Sequence, residues 1–171
     1  MQETAVRFAI CDDDKTYAEK MKALILQTFQ LPQPVECVIY LNQEQILKCY
    51  REDKIDIIFM DIEFGDTIGF QVARRLSMQD SQLAVVYMTN YEHYITEAFV
   101  CRPLGFIRKS HAEDDLQIAG QEIRRFIGQK YSRFVFGGGA AVVEVPLYKV
   151  YAVEIYGHDM VILLENENIR V

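Results

Sequence analysis

The run Ile55-Asp56-Ile57-Ile58-Phe59-Met60-Asp61 decides the fold class. A continuous apolar stretch of this length, closed by an acid, reads as a strand buried on both faces. Asp61 then emerges from the edge of a sheet. A second run, Val6-Arg7-Phe8-Ala9-Ile10-Cys11, ends the same way in Asp12 and Asp13. Thr89 closes a third run, Leu83 to Met88, and Lys109 follows a short fourth, Gly105 to Arg108. Between the strands lie stripes at helical spacing. They are Tyr17, Met21, Leu24, Ile25 and Thr28, then Ile46, Leu47 and Tyr50, then Phe70, Ala73 and Leu76. Tyr91, Ile95, Ala98 and Phe99 follow, and Leu116, Ala119, Ile123, Phe126 and Ile127 come last.

With Val35 to Leu41 as the second strand, five strands alternate with five helices. That alternation predicts a doubly wound α/β fold with a parallel sheet, flavodoxin-like, in the order 2-1-3-4-5. Ligands in such sheets bind beyond the carboxyl ends of the strands. Asp12, Asp13 and Asp61 therefore share one crevice, with Thr89 and Lys109 on its other side. Asn42 with Gln45, and Ser110 with Glu113, have the spacing of capping boxes. Asp14 reads as a helix cap.

The chain has 171 residues, of which 50% are hydrophobic, enough for one ordinary domain and an appended segment. A net charge of −7 disfavours nonspecific binding to nucleic acid or anionic membrane. No membrane span and no signal-peptide pattern appears, so a cytoplasmic location is expected. The four cysteines, at 11, 37, 49 and 101, lack zinc or redox-pair spacing and read as reduced thiols.

After Gln129 the helical stripes stop. Arg133 to Phe136, Ala141 to Val145, Val150 to Ile155 and Met160 to Leu164 read as strands. Gly137-Gly138-Gly139 and Tyr156-Gly157-His158-Asp159 read as turns between them. The expected division is 1–129 for the α/β domain and 130–171 for a small, mostly β segment. That segment sets Lys130, Arg133, Lys149 and Arg170 against Glu144, Glu154, Asp159, Glu165 and Glu167, a net charge of −1. Segments of about 40 residues rarely fold alone.

Three neighbouring carboxylates repel one another, and a divalent cation relieves this. Mg2+ suits such oxygens and pairs with phosphate. Asp61 can then attack a phosphoryl group and form an acyl phosphate. Lys109 and the metal neutralise the transferring oxygens. Thr89 can donate to a phosphate oxygen, and Phe106 can fill the space the hydroxyl leaves.

Taken together, Ile10-Cys11-Asp12-Asp13-Asp14, Phe59-Met60-Asp61-Ile62-Glu63, Met88-Thr89-Asn90 and Phe106-Ile107-Arg108-Lys109 resemble the receiver domain of two-component response regulators. The resemblance covers roughly Val6 to Gln129. It implies that Asp61 accepts a phosphoryl group from a sensor histidine kinase. Asp12 and Asp13 would hold Mg2+, with Asp61 and the backbone carbonyl of Glu63. Thr89 and Phe106 would be the switch pair, and Lys109 would bind the phosphate. It also implies homodimerisation through the face around Thr89 and Phe106. Two positions depart from the family pattern: Ser110 stands where proline usually follows the lysine, and Asn90 where a small residue usually follows the threonine.

The stretch Val145-Pro146-Leu147-Tyr148-Lys149-Val150-Tyr151-Ala152-Val153-Glu154-Ile155-Tyr156-Gly157-His158 resembles the start of a LytTR-type DNA-binding domain. By that resemblance His158 lies in a loop that can reach DNA, and transcription is the output. Two other functions fit parts of the pattern. One is a receiver-like scaffold that works without phosphorylation. The other is a magnesium-dependent phosphohydrolase with an aspartate nucleophile, disfavoured because its Asp-x-Asp motif would follow the first strand.

Overall fold

A computed structural model of the chain describes residues 5–80, 82–91, 94, 103–136, 142–157, 159–164 and 168–170. The expected helix through Ile95 and Phe99, the Gly137–Gly139 turn and His158 lie outside the described residues. The chain divides into two compact units, Met1–Ile123 and Arg124–Val171.

The first unit alternates strand and helix. β1 (Val6–Cys11), α1 (Lys15–Thr28), β2 (Val35–Tyr40), α2 (Gln43–Asp53) and β3 (Ile57–Asp61) come first. A hairpin of β4 (Glu63–Phe64) and β5 (Thr67–Ile68), α3 (Gly69–Ser77), β6 (Ala84–Thr89) and β7 (Gly105–Arg108) follow. A 3-10 turn (Lys109–His111) leads into the C-terminal helix Ala112–Tyr131. The main sheet has the order β2-β1-β3-β6-β7, with every pair parallel. This is the expected 2-1-3-4-5 arrangement, with the hairpin outside the sheet.

Register explains why these strands carry unbroken apolar runs. Phe8, Ala9, Ile10 and Cys11 lie opposite Ile57, Ile58, Phe59 and Met60. Alternate residues face opposite sides of a sheet. Ala9, Cys11, Ile58 and Met60 share a core with Ile46 and Tyr50 of α2 and Val72, Ala73 and Leu76 of α3. On the other side Phe8 meets Phe29 and Phe59 edge to face, with centroids 5.6 and 5.7 Å apart. All residues of β3 and β6 are buried. Each fully buried large apolar side chain contributes about 1.5–3 kcal/mol before entropy is counted.

Local signals set the element ends. The carboxylate of Asp14 accepts from the N–H groups of Thr16 (2.9 Å) and Tyr17 (3.1 Å), which starts α1. Asn42 caps α2 by accepting from Gln45 N–H at 3.0 Å, as its spacing predicts. The returning Gln45 side chain accepts from Leu41 N–H (2.8 Å). Ser110 and Glu113 do not start the last helix as a capping box. Ser110 lies inside the 3-10 turn, and its hydroxyl pairs with His111 Nδ1 at 2.8 Å. Asp115 takes the start of that helix differently: it accepts from the backbone N–H, Nε and Nη2 of Arg108, at 2.7–2.8 Å. The Arg108 guanidinium holds this carboxyl below its ordinary range.

The second unit is antiparallel. β8 (Arg133–Phe136) pairs with β9 (Val143–Pro146). β10 (Val150–Tyr156), β11 (Asp159–Leu164) and β12 (Asn168–Arg170) form a three-stranded sheet. Gly157, with φ of +64°, lies in the β10–β11 turn, where glycine tolerates the left-handed region. Phe136, Val145 and Ile162 are its buried centre, wrapped by Phe134, Val143, Val150, Met160, Leu164 and Ile169.

Candidate functional site

β1 ends at Cys11, β3 at Asp61, β6 at Thr89 and β7 at Arg108, next to Lys109. Because these strands are parallel neighbours, their carboxyl ends bring the acids, the hydroxyl and the ammonium to one sheet edge. Carboxylate oxygens of Asp12, Asp13 and Asp61 lie within 4.8 Å of one another. Asp12, Asp61 and Thr89 are buried, while Asp13 is exposed.

Each buried acid is held by the backbone that follows it. Asp12 Oδ1 accepts from Asp14 N–H at 3.0 Å, and Asp61 Oδ1 accepts from Glu63 N–H at 3.1 Å. Lys109 bridges the two, with Nζ 2.6 Å from Asp61 Oδ2 and 2.6 Å from Asp12 Oδ2. Nζ donates a hydrogen bond to Asp61. Towards Asp12 the same ammonium forms an ion pair with the buried Oδ2, which meets no other donor among the described residues. Three carboxylates facing one ammonium suit a hard divalent cation.

The charges are tuned by burial. Desolvation pushes Asp61 up to about 6, against the opposing pull of Lys109. Asp12 is likewise raised by burial, again with Lys109 opposing. Desolvation would lower Lys109, yet its two carboxylate partners outweigh that and raise it, so it stays an ammonium ion. Three acids against one base leave the cluster with more negative than positive charge.

The loop after Asp61 is packed without slack. Gly69 opens α3, and a Cβ there would stand 2.0 Å from the Asp61 carbonyl oxygen, so no side chain fits. Gly69 N–H donates to Ile62 O (2.8 Å), and Ile62 N–H donates to Met88 O (3.0 Å). Thr89 Oγ1 accepts from Tyr91 N–H at 3.0 Å, and Asn90 is exposed. Phe106 pairs in register with Tyr87 and packs, half-buried, on the α2–α3 side of the core. Glu63 lies directly after the site, in β4. The Lys109–Ser110 bond is trans.

The sequence pattern did not mark Tyr17 as anything but a core residue. Lys109 Nζ lies 4.7 Å from the centroid of its ring. Burial, with the nearby charges of Asp12 and Asp61, raises its phenol above the ordinary value. A signal was available: Tyr17 stands in the first turn of α1, three residues after Asp14.

Residues 8–120 match the family model of the response regulator receiver domain. The chain belongs to that family. Among curated relatives, the sensory transduction protein LytT of Oceanobacillus iheyensis is 25% identical over 130 residues, which are 75% of this chain and 52% of the relative. LytT of Enterococcus faecalis is 24% identical over 160 residues, 94% of this chain and 62% of that protein. The positive alginate biosynthesis regulatory protein of Pseudomonas aeruginosa is 28% identical over 118 residues, covering 68% of this chain and 46% of its own length. The receiver chain spans about half the length of the first of these relatives. Among solved structures, the response regulator TrrA of Thermotoga maritima, in complex with Mg(2+)-BeF, is 19% identical, with a TM-score of 0.59 over 71% of this chain and 98% of that one. The signal receiver domain of a DNA-binding response regulator from Colwellia psychrerythraea is 15% identical, with a TM-score of 0.60, also covering 71% of this chain and 98% of that chain. At these identities the structures speak for the receiver fold. Among the described residues, no helix is long and apolar enough to cross a membrane.

Proposed function

We propose that Asp61 accepts a phosphoryl group from a sensor histidine kinase and that the modified receiver switches a transcriptional output. The observation that carries this reading is the ammonium of Lys109, 2.6 Å from both Asp61 and Asp12, within a cluster of three carboxylates. An Asp61 oxygen attacks phosphorus as the P–N bond of the phosphohistidine breaks, and the imidazole leaves with a proton. Asp12, Asp13, Asp61 and the Glu63 carbonyl would hold Mg2+, which supplies positive charge to the transferring oxygens. Lys109 adds its own charge beside Asp61 and Asp12. Thr89 donates its hydroxyl to a phosphoryl oxygen, and Phe106 follows it inward. The protein is its own catalyst for this transfer and for the later hydrolysis, and it has no separate turnover substrate.

The division between receiver and output lies near residue 130. The β segment is the first part of a LytTR-type DNA-binding module, with His158, outside the described residues, as its candidate DNA contact. The LytT relatives support this assignment. The full-length protein acts in the cytoplasm as a homodimer joined through the face around Thr89 and Phe106.

Incubation with Mg2+ and acetyl phosphate, followed by intact-mass measurement, tests the proposal. One phosphoryl group is expected, absent without Mg2+ and absent in Asp61→Asn. A phosphorylated Asp61→Asn protein would refute it.

A further inference from the structure

Among the described residues, Tyr17 reaches the site with a polar atom that the receiver chemistry leaves without a task. Its hydroxyl is buried and has no hydrogen-bond partner among the described residues. Its ring lies against the Lys109 ammonium, which itself touches Asp61 and Asp12. The backbone of Tyr17 is fixed from the same cluster: Asp12 holds Asp14, and Asp14 accepts from Tyr17 N–H. The residue thus reaches the site on a short, hydrogen-bonded path. Burying a hydroxyl without an acceptor is costly, and native structures rarely leave one so. Burial, with the nearby acids, keeps the phenol protonated, so it is a donor at neutral pH. Asp12 and Asp61 are close enough to perturb it, yet neither accepts from it. An acceptor that arrives with the phosphoryl group would complete it.

We propose that Tyr17 is a further binding residue of the phosphoryl site, its ring holding Lys109 and its hydroxyl donating to an oxygen of the phosphoryl group on Asp61. This rests on the proposed function, and the test separates the two. The donor meets its acceptor only when tetrahedral phosphate chemistry is present, so it affects the phosphoryl mimic and not the metal alone. Removing a hydrogen bond to a charged acceptor weakens binding about tenfold.

The experiment uses the full chain, Mg2+ and beryllofluoride, with affinities read by 19F NMR and calorimetry for wild type, Tyr17→Phe and Tyr17→Leu. Tyr17→Phe keeps the ring over Lys109 and removes the donor. Its expected result is an affinity for beryllofluoride about tenfold lower at saturating Mg2+, with Mg2+ affinity within about twofold of wild type. Tyr17→Leu loses the ring as well, and its loss is expected to be at least as large. Wild-type beryllofluoride affinity in Tyr17→Phe overturns the proposal, because the hydroxyl then contributes nothing to holding the phosphoryl group. An equal loss of Mg2+ and beryllofluoride affinity also overturns it, because the residue then shapes the metal cluster alone. Failure of wild type to bind either probe removes the receiver function itself, and this assignment with it.

Discussion

β3 and β10 are both rich in apolar and aromatic residues, yet one is buried at every position and the other at none. β3 lies between β1 and β6 inside the sheet. β10 is an edge strand of a three-stranded sheet and exposes Tyr151, Val153 and Ile155 along one face. Composition therefore does not tell the two apart; neighbours do. A strand buried on both faces cannot shift by a residue without moving its whole apolar set, so Asp61 at its end is fixed to the register. That fixity lets two acids and a lysine meet at 2.6 Å. The second unit, with three buried residues at its centre, lacks such a frame among its described residues.

Substitutions in the two regions test this contrast. The largest effect is expected at Gly69. Gly69→Val puts a branched side chain where a Cβ already meets the Asp61 carbonyl, and should cost about 3 kcal/mol or more in a urea melt of the receiver. Ile162→Ala empties the centre of the small cluster. It should cost about 2–4 kcal/mol, seen as loss of hydrogen-exchange protection in β10 and β11. Equal protection of the β3 and β10 amides would erase the distinction.

Asp61→Asn should stabilise the receiver at pH 7.5 by about 1–3 kcal/mol. The sign follows from burial. The folded carboxyl titrates near 6 and the unfolded one near its ordinary value, so folding disfavours the ionised form. The penalty is complete above pH 6 and shrinks as protons bind between pH 6 and about 4. The variant's advantage should therefore fade over that window in thermal melts. An advantage that grows on acidification would show that Lys109 outweighs burial. The smallest effect is expected on the open face of β10, where Tyr151→Ala should change stability by less than about 0.5 kcal/mol.

Much of the receiver was legible before any coordinates. Asp61, Asp12 and Thr89 each close an apolar run, and the strand order follows from right-handed crossovers. What stayed hidden depends on three-dimensional contact. Tyr17 continues the apolar stripe of α1, so its pattern cannot distinguish a core ring from one lying on Lys109. The β4–β5 hairpin has strands of two residues, too short for periodicity to register. β12 offers a single apolar residue, Ile169, and its pairing with β11 comes from backbone hydrogen bonds. The grip of Asp115 on Arg108 was masked by an acidic stretch that suits any helix start.

The central claim is that Asp61 is the nucleophile of this cluster. Phosphorylation with acetyl phosphate and Mg2+, followed by borohydride reduction and peptide mass mapping, locates the acyl phosphate directly. The account predicts conversion of residue 61 to homoserine, with Asp12 and Asp13 unchanged. Reduction at either of those acids, with Asp61 intact, would contradict it.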